Sequence, residues 1–377
     1  MSGLVLTPQN SCHSGTTPSD QNLQCPQGLF GPYEAQDEPG AVTAHSAATA
    51  PAPAAAPVKP MNAVATQKTL AIPGPLTAPC TPAPPPAPSS TVARQYVHRA
   101  AHAEVFLTGH RKTGENTYVL TGQWPRTHAF FSTPDGRSHD HLQACETVRQ
   151  SGIYLAHTEH QVPLDHHFVM QDMTVTTHPQ HLGIATTPTE LSLNAILTRS
   201  TRGANFAIYL TITNAHQHIV ATGRGHFTCV SPAVYRRIRA TPMATLSALR
   251  HTPTNQNPTT FGRSHTHDLV LAPTSRPHTW LLNPDPMHPI LFDHDTDHIP
   301  GMVLIEAARQ ATRPHLPPEA ATTHTRTQFH QYVELTDPCY ITIAPQPATA
   351  PQTRTHTITG YQNAQPTFTT HHTATTA

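Results

Sequence analysis

The sequence predicts an α+β fold built twice, each half a long buried helix wrapped by a curved antiparallel sheet. Three observations carry that expectation. First, a block recurs at a fixed offset: His128, Glu146, Arg149 and Gln150 return as His288, Glu306, Arg309 and Gln310, each 160 positions on. A duplicated domain explains such a repeat most simply. Second, each half holds one helix candidate, and Met302-Val-Leu-Ile-Glu-Ala-Ala-Arg-Gln-Ala311 is apolar nearly all round, which marks a buried helix. Third, each helix candidate is followed by several runs rich in β-branched and aromatic residues, the composition of strands.

In the first half, Tyr118 to Trp124 reads as a strand and 142 to 157 as the helix, with Leu142, Cys145, Val148, Ile153 and Leu155 as its apolar residues. Strands are expected at 168–177, 205–213 and 219–230, with a further one over 191–197. The second half repeats the order. Residues 268–272 are strand-like, Pro300-Gly301 opens a helix through 312, and Pro314 ends it because proline cannot continue a helix. Strands are expected at 327–335, 339–344, 354–361 and 367–373. One buried helix per half inside an antiparallel sheet is the architecture of a double hotdog.

Composition sets the boundaries. Residues 1–93 carry six charges and long Ala/Pro tracts, with too few large apolar side chains to offset the entropy of ordering, so they are expected to be a disordered tail. Residues 94–232 then form the first repeat, 233–266 a linker without periodicity, and 267–377 the second repeat. The 22 basic and 22 acidic residues balance, leaving no electrostatic footprint for nucleic acid or an anionic membrane. No apolar run reaches the length of a membrane span, and the first residues lack the pattern of a secretion signal. Six cysteines without CxxC spacing argue against a disulfide framework or a zinc site and fit a reducing cytoplasm, the expected location.

The unusual feature is charge inside an apolar helix. Glu306 shares one helix face with Arg309 at i+3 and Gln310 at i+4, and Glu146 shares one with Arg149 and Gln150. Such groups are costly to bury unless paired or open to a cavity. An internal ion pair and an active site are both compatible with that pattern. The loop before the second helix adds Asp293, His294, Asp295, Asp297 and His298, which include possible metal ligands. With 30 histidines in the chain, however, such clusters arise by chance, and neither a metal nor a cofactor is expected. Cys145 adjoins Glu146, but no histidine can be placed beside it as a nucleophile's partner.

Two resemblances follow from these residues. Phe292-Asp-His294-Asp-Thr-Asp-His298-Ile-Pro300-Gly301-Met-Val-Leu-Ile-Glu306 resembles the signature of β-hydroxyacyl carrier protein dehydratases, with His294 in the histidine position and a loop two residues shorter. Gln123-Trp-Pro-Arg126, Ala144-Cys-Glu146-Thr-Val-Arg149-Gln150 and the segment Asp297 to Gln310 together resemble the A-factor biosynthesis family of actinomycetes, over roughly 96 to 377. That resemblance implies two hotdog repeats and transfer of a β-ketoacyl group from an acyl carrier protein thioester to dihydroxyacetone phosphate, in the making of a γ-butyrolactone signal. It implies Glu306 as general base, its pKa raised in a partly apolar pocket. Arg309 becomes the phosphate or orientation group, and Glu146 and Arg149 their counterparts. The positive end of the helix would polarise the thioester carbonyl. The competing readings are a hotdog dehydratase or thioesterase using His294 with Glu306, and a non-catalytic acyl-binding regulatory protein.

Overall fold

The computed structural model describes residues 90–200, 203–239, 244–347 and 350–376. The tail expected over 1–93 lies outside the described residues except for its last four. Of these, Val92 is buried and donates its N–H to the Leu107 carbonyl at 2.9 Å.

Among the described residues twelve strands form one continuous antiparallel sheet. In chain order they are β1 (Leu107–Lys112), β2 (Thr117–Trp124), β3 (His167–Thr177), β4 (Thr189–Arg199), β5 (Asn205–Asn214), β6 (Ile219–Val230), β7 (Leu271–Pro273), β8 (Thr279–Leu282), β9 (Ala321–Phe329), β10 (Cys339–Pro345), β11 (Thr353–Gln362) and β12 (Gln365–Thr375). Helix α1 (His141–Glu159) follows β2, α2 (Pro232–Arg239) follows β6, and α3 (Gly301–Thr312) follows β8. The spatial order is β1-β2-β4-β5-β6-β3-β9-β12-β11-β10-β8-β7. Read from the centre, the two halves have the same order, β3-β6-β5-β4-β2-β1 and β9-β12-β11-β10-β8-β7. They meet where β3 pairs with β9, from Asp172 opposite Gln328 to Thr176 opposite His324. The duplication and the double hotdog expected from the sequence are therefore present, and joining the two sheets leaves no free strand edge at the centre.

Each half wraps its sheet around its own helix. Alternate residues of β4 (Leu191, Leu193, Ala195, Leu197) and β5 (Phe206, Ile208, Leu210, Ile212) are buried, the period-two pattern of a sheet with one face in a core. A Cβ on Gly223 of β6 would lie 2.2 Å from Val148 Cγ2, so only glycine lets α1 sit this close to the sheet.

Several expected boundaries shift. The strand expected at 327–335 is Ala321–Phe329. Tyr332, Val333 and Leu335 gave the strand-like signal, but they pack over the loop before α3, where the Ile299 N–H bonds the Val333 carbonyl at 2.9 Å. The strand itself is rich in threonine because its inward residues meet polar partners: Thr327 Oγ1 lies 2.9 Å from Thr370 Oγ1. Residues 266–268 form a 3-10 turn ahead of β7, and β1 and β8 lacked the alternation that would have revealed them. The segment expected as a linker, 233–266, holds most of α2, a 3-10 turn over Pro258–Phe261, and the buried Arg263.

Candidate active site

Both helix carboxylates are fully enclosed. Glu146 and Glu306 are each 0 % exposed. Glu306 Oε1 accepts from Arg263 Nε at 2.6 Å, Arg309 Nη2 at 2.9 Å and Gln310 Nε2 at 2.6 Å, while Oε2 accepts from Arg309 Nε at 2.7 Å. Glu146 repeats the arrangement with Arg99 Nε at 2.9 Å, Gln150 Nε2 at 2.8 Å, and Arg149 Nη2 and Nε at 2.8 Å each. Burial alone would raise both carboxyl pKa values, but the two guanidinium groups on each outweigh it and hold both carboxyls at about 2. The raised pKa expected for Glu306 is thus reversed. Both its oxygens are held by charged or amide donors and it does not line the cavity described below, so the geometry gives no support to Glu306 as general base.

Sequence reasoning missed Arg99 and Arg263, the second cation of each cluster. A signal was present: the repeat continues upstream at an offset of 164, with Arg99 and Glu104 returning as Arg263 and Asp268. The offset drops to 160 because the hairpin β7–β8 is shorter than β1–β2. The recurring histidines are structural too. His128 Nδ1 accepts from the N–H groups of Phe130 and Phe131 at 3.2 and 3.1 Å, and His288 Nδ1 accepts from those of Ile290 and Leu291 at 3.2 and 3.0 Å.

That tautomer also tests a metal site. Among the described residues, His267, Asp268 and His288 bring potential ligand atoms within 4.8 Å of one another. Because His288 Nδ1 is an acceptor, its Nε2 carries the proton and donates to Asp268 Oδ1 at 3.1 Å. A metal would have to displace that proton and set the ring against two backbone donors, so the group reads as a hydrogen-bonded pair with a neighbouring imidazole.

A cavity of about 1140 Å³ lies where α1 of the first repeat meets the 290–300 loop, the start of α3 and the helix α2. Its apolar wall comes from both repeats, with Val148, Gly152, Phe168, Ile208 and Phe227 from the first and Ile290, Met302 and Ile305 from the second. Its polar wall includes His98, Arg99, Arg149, His294 and His298. Arg149 spends Nε and Nη2 on Glu146 and on the Val97 carbonyl, which leaves Nη1 without a protein partner among the described residues, beside the cavity. The structure therefore brings His294 to Arg149, Arg99 and Glu146 across the repeat boundary. Desolvation by the cavity walls, then Arg149 and Arg99, hold the His294 imidazole below the usual histidine range.

Two imidazoles have their tautomers set by partners. His157 Nδ1 donates to the Val162 carbonyl at 2.7 Å, so its Nε2 accepts from His98 Nε2 at 2.9 Å, and His98 keeps a bare Nδ1. Burial and Arg149 push the His98 pKa down to about 3. His298 Nδ1 donates to Asp297 Oδ1 at 2.7 Å, leaving Nε2 as the free acceptor at the cavity. Asp297 is fixed in turn by the Tyr235 hydroxyl at 2.8 Å and Arg239 Nε at 3.1 Å. Desolvation works against the charged carboxylate, but His298, Tyr235 and Arg239 lower its pKa far below the usual range.

The helix start beside this dyad is open. Helix α3 has Pro300 as its N-cap, and among the described residues no side chain caps it. The first N–H groups of a helix have no intrahelical acceptor, so those of Gly301 and Met302, both at the cavity, remain to bind an anion. The corresponding residue of the first repeat is Asp140, 160 positions earlier, whose Oδ1 caps α1 through the Leu142 N–H at 2.9 Å. Asp140 also lies 3.8 Å from Arg263 and 4.0 Å from Arg309. One repeat thus blocks with a carboxylate the helix end that the other leaves free.

The sequence profile of the A-factor biosynthesis hotdog domain matches residues 81–231 and again 244–376. The chain belongs to the A-factor biosynthesis hotdog family. A Streptomyces virginiae protein named 2-oxo-3-(phosphooxy)propyl 3-oxoalkanoate synthase is 42% identical over 285 residues, 73% of this chain and 94% of that protein. A Streptomyces griseus protein of the same name is 31% identical over 281 residues, 73% of this chain and 93% of that one. Among solved structures, a trans-AT PKS dehydratase domain from Brevibacillus brevis aligns with TM-score 0.43 at 11% identity, over 72% of this chain and 97% of that one. A 12:0-ACP thioesterase from Umbellularia californica aligns with TM-score 0.42 at 6% identity, over 70% and 98%.

Proposed function

We propose that this member of the family is an acyltransferase that moves a 3-oxoacyl group from an acyl carrier protein thioester to the free hydroxyl of dihydroxyacetone phosphate. The observation that carries the reading is the two-sided cavity: an apolar wall and the guanidinium groups of Arg99 and Arg149, from the first repeat, face the uncapped helix start of the second repeat beside an Asp297–His298 pair. The names of the Streptomyces relatives describe a product of that reaction.

The residues divide the work as follows. The apolar wall takes the acyl chain. The thioester carbonyl lies against the N–H groups of Gly301 and Met302, which hold the oxyanion as it forms. His298 Nε2 takes the proton from the attacking hydroxyl, Asp297 stabilises the imidazolium, and collapse of the tetrahedral intermediate expels the thiolate, which recovers that proton. Arg149 Nη1, with His294 beside it, holds the phosphate of the acceptor. Glu146 positions Arg149 and Arg99, while Glu306, Arg309 and Arg263 form the equivalent cluster on α3, beside the Asp140-capped start of α1. No step calls for a metal or a cofactor.

Among the described residues no helix is long and apolar enough to cross a membrane. We place the protein in the cytoplasm, where carrier thioesters and triose phosphates are made. Mass spectrometry of the products from purified protein, a 3-oxoacyl thioester and dihydroxyacetone phosphate tests the reading. The expected product is the phosphorylated ester, formed only with both substrates. Release of free 3-oxo acid at the same rate without the acceptor would make the protein a thioesterase.

A further inference from the structure

Helix α2 has three faces with different tasks. Tyr235 and Arg239, at i and i+4, point inward: the Tyr235 hydroxyl bonds Asp297, and Arg239 bonds Asp297 and, at 2.7 Å from each terminal nitrogen, Glu334. Pro232 and Arg236, again at i and i+4, line the cavity. Val234, Arg237 and Ile238 make up the remaining face, and all are exposed, Val234 by 41 % and Ile238 by 53 %. An outward face with two aliphatic side chains is the reverse of an ordinary surface helix. The helix carries three arginines and no acidic residue. The acidic side chains at the cavity, Asp165, Asp295 and Asp297, stand on other segments, the turn after α1 and the loop before α3.

We propose that the Val234–Arg237–Ile238 face of α2 is the docking surface for the acyl carrier protein that delivers the donor thioester. A carrier of this kind is a small acidic helical protein whose prosthetic arm leaves beside a helix with acidic and apolar side chains. Such a helix matches α2 in both respects: Arg237, with the exposed Arg236 on the adjoining face, meets its carboxylates and the aliphatic pair meets its apolar ridge. Position supports the same partner. The cavity-lining Arg236 is on the next face of the same helix, so an arm leaving a carrier seated on α2 enters the cavity directly. Tyr235 and Arg239 tie α2 to Asp297, so the docking helix and the Asp297–His298 pair are held as one piece.

This inference rests on the acyl-transfer reading, and the test separates the two. Binding of a purified, isotope-labelled bacterial holo acyl carrier protein is measured by NMR titration against the full chain and its Arg237→Glu/Ile238→Asp variant, with melting temperature as the check on folding. Transfer to dihydroxyacetone phosphate is measured with a carrier-bound donor and with an N-acetylcysteamine donor, which has no protein to dock. The expected result is carrier binding that weakens with salt, at least a tenfold higher Kd for the variant, and an equal loss of kcat/KM with the carrier-bound donor alone. An unchanged Kd, or equal losses with both donors, overturns the docking surface. So does a variant that binds the carrier normally but has lost binding to phosphatidylglycerol vesicles, which would make the face a membrane contact. Carrier binding on α2 without transfer from either donor would overturn the acyl-transfer reading and leave the surface standing.

Discussion

Arg99, in the first repeat, donates from Nη1 to the carbonyl oxygen of Ile290, in the second, at 2.9 Å. Its twin Arg263 donates to the carbonyl of Phe130, so each repeat sends one arginine into the other. Each of these arginines also binds the buried glutamate of its own repeat. The Glu-Arg pattern in the helices is therefore half of a latch that holds the repeats together, and the charge is buried because the latch is.

Replacing Glu306 by Gln should accordingly act on stability first. It leaves Arg263 and Arg309 buried without their counter-charge, at a cost of about 3–5 kcal/mol. We expect a marked drop in melting temperature, with the folded fraction turning over at a rate near that of the parent. A hundredfold loss of turnover without loss of stability would return Glu306 to the role of base.

The same latch sets an acid limit. Both glutamates are held at about 2 in the folded protein, from an ordinary value near 4.5. A depressed carboxylate contributes stability that is complete above the unfolded value and is lost as pH falls towards the folded one. Urea unfolding should therefore show stability falling steeply between about pH 4.5 and 2, and Glu146→Gln/Glu306→Gln should flatten that fall. An unaltered acid limb in the double variant would refute the assignment.

Much of the fold could be read because it depends on local pattern. The helix expected at 142–157 is His141–Glu159, and the strand expected at 219–230 is Ile219–Val230, since burial imposes periods that leave a trace in the chain. The charged pairs were legible as pairs. Their state was not, because it depends on Arg99 and Arg263, which lie 47 and 43 residues from their glutamates in sequence. His298 stood out only as a possible metal ligand in a loop of acidic residues, in a chain with 30 histidines. What distinguishes it is the contact of Asp297 with Tyr235 and Arg239, on a helix that fell within the expected linker.

His298→Gln removes the proposed base and keeps a polar group of similar reach. Turnover should fall by roughly 10²–10⁴-fold, the range for losing a general base, with melting temperature close to the parent. Near-parent turnover in a variant that melts normally would remove His298 from the role of base.

Arg149→Lys keeps a cation beside Glu146 but loses the free Nη1. A charge-assisted hydrogen bond is worth about 1.5–3 kcal/mol, so KM for dihydroxyacetone phosphate should rise by roughly ten- to a hundredfold while KM for the acyl donor changes little. Steady-state kinetics with each substrate varied in turn decides it. A rise confined to the donor would place the phosphate elsewhere.

Gly152 opens the apolar wall of the cavity from the side of α1. A Cβ there would lie 3.1 Å from Phe227 Cε1 and 3.6 Å from Ile208 Cγ2, so Gly152→Val fills space between the helix and the sheet that the acyl chain is proposed to use. Each methylene kept out of an apolar site forfeits about 0.8 kcal/mol, roughly fourfold in kcat/KM. Across a series of 3-oxoacyl donors of increasing length, the parent's kcat/KM should climb as chains fill the wall. The variant should follow the parent for the shortest donors and then fall behind progressively. A uniform loss at every length would mean that the acyl chain does not run along Gly152.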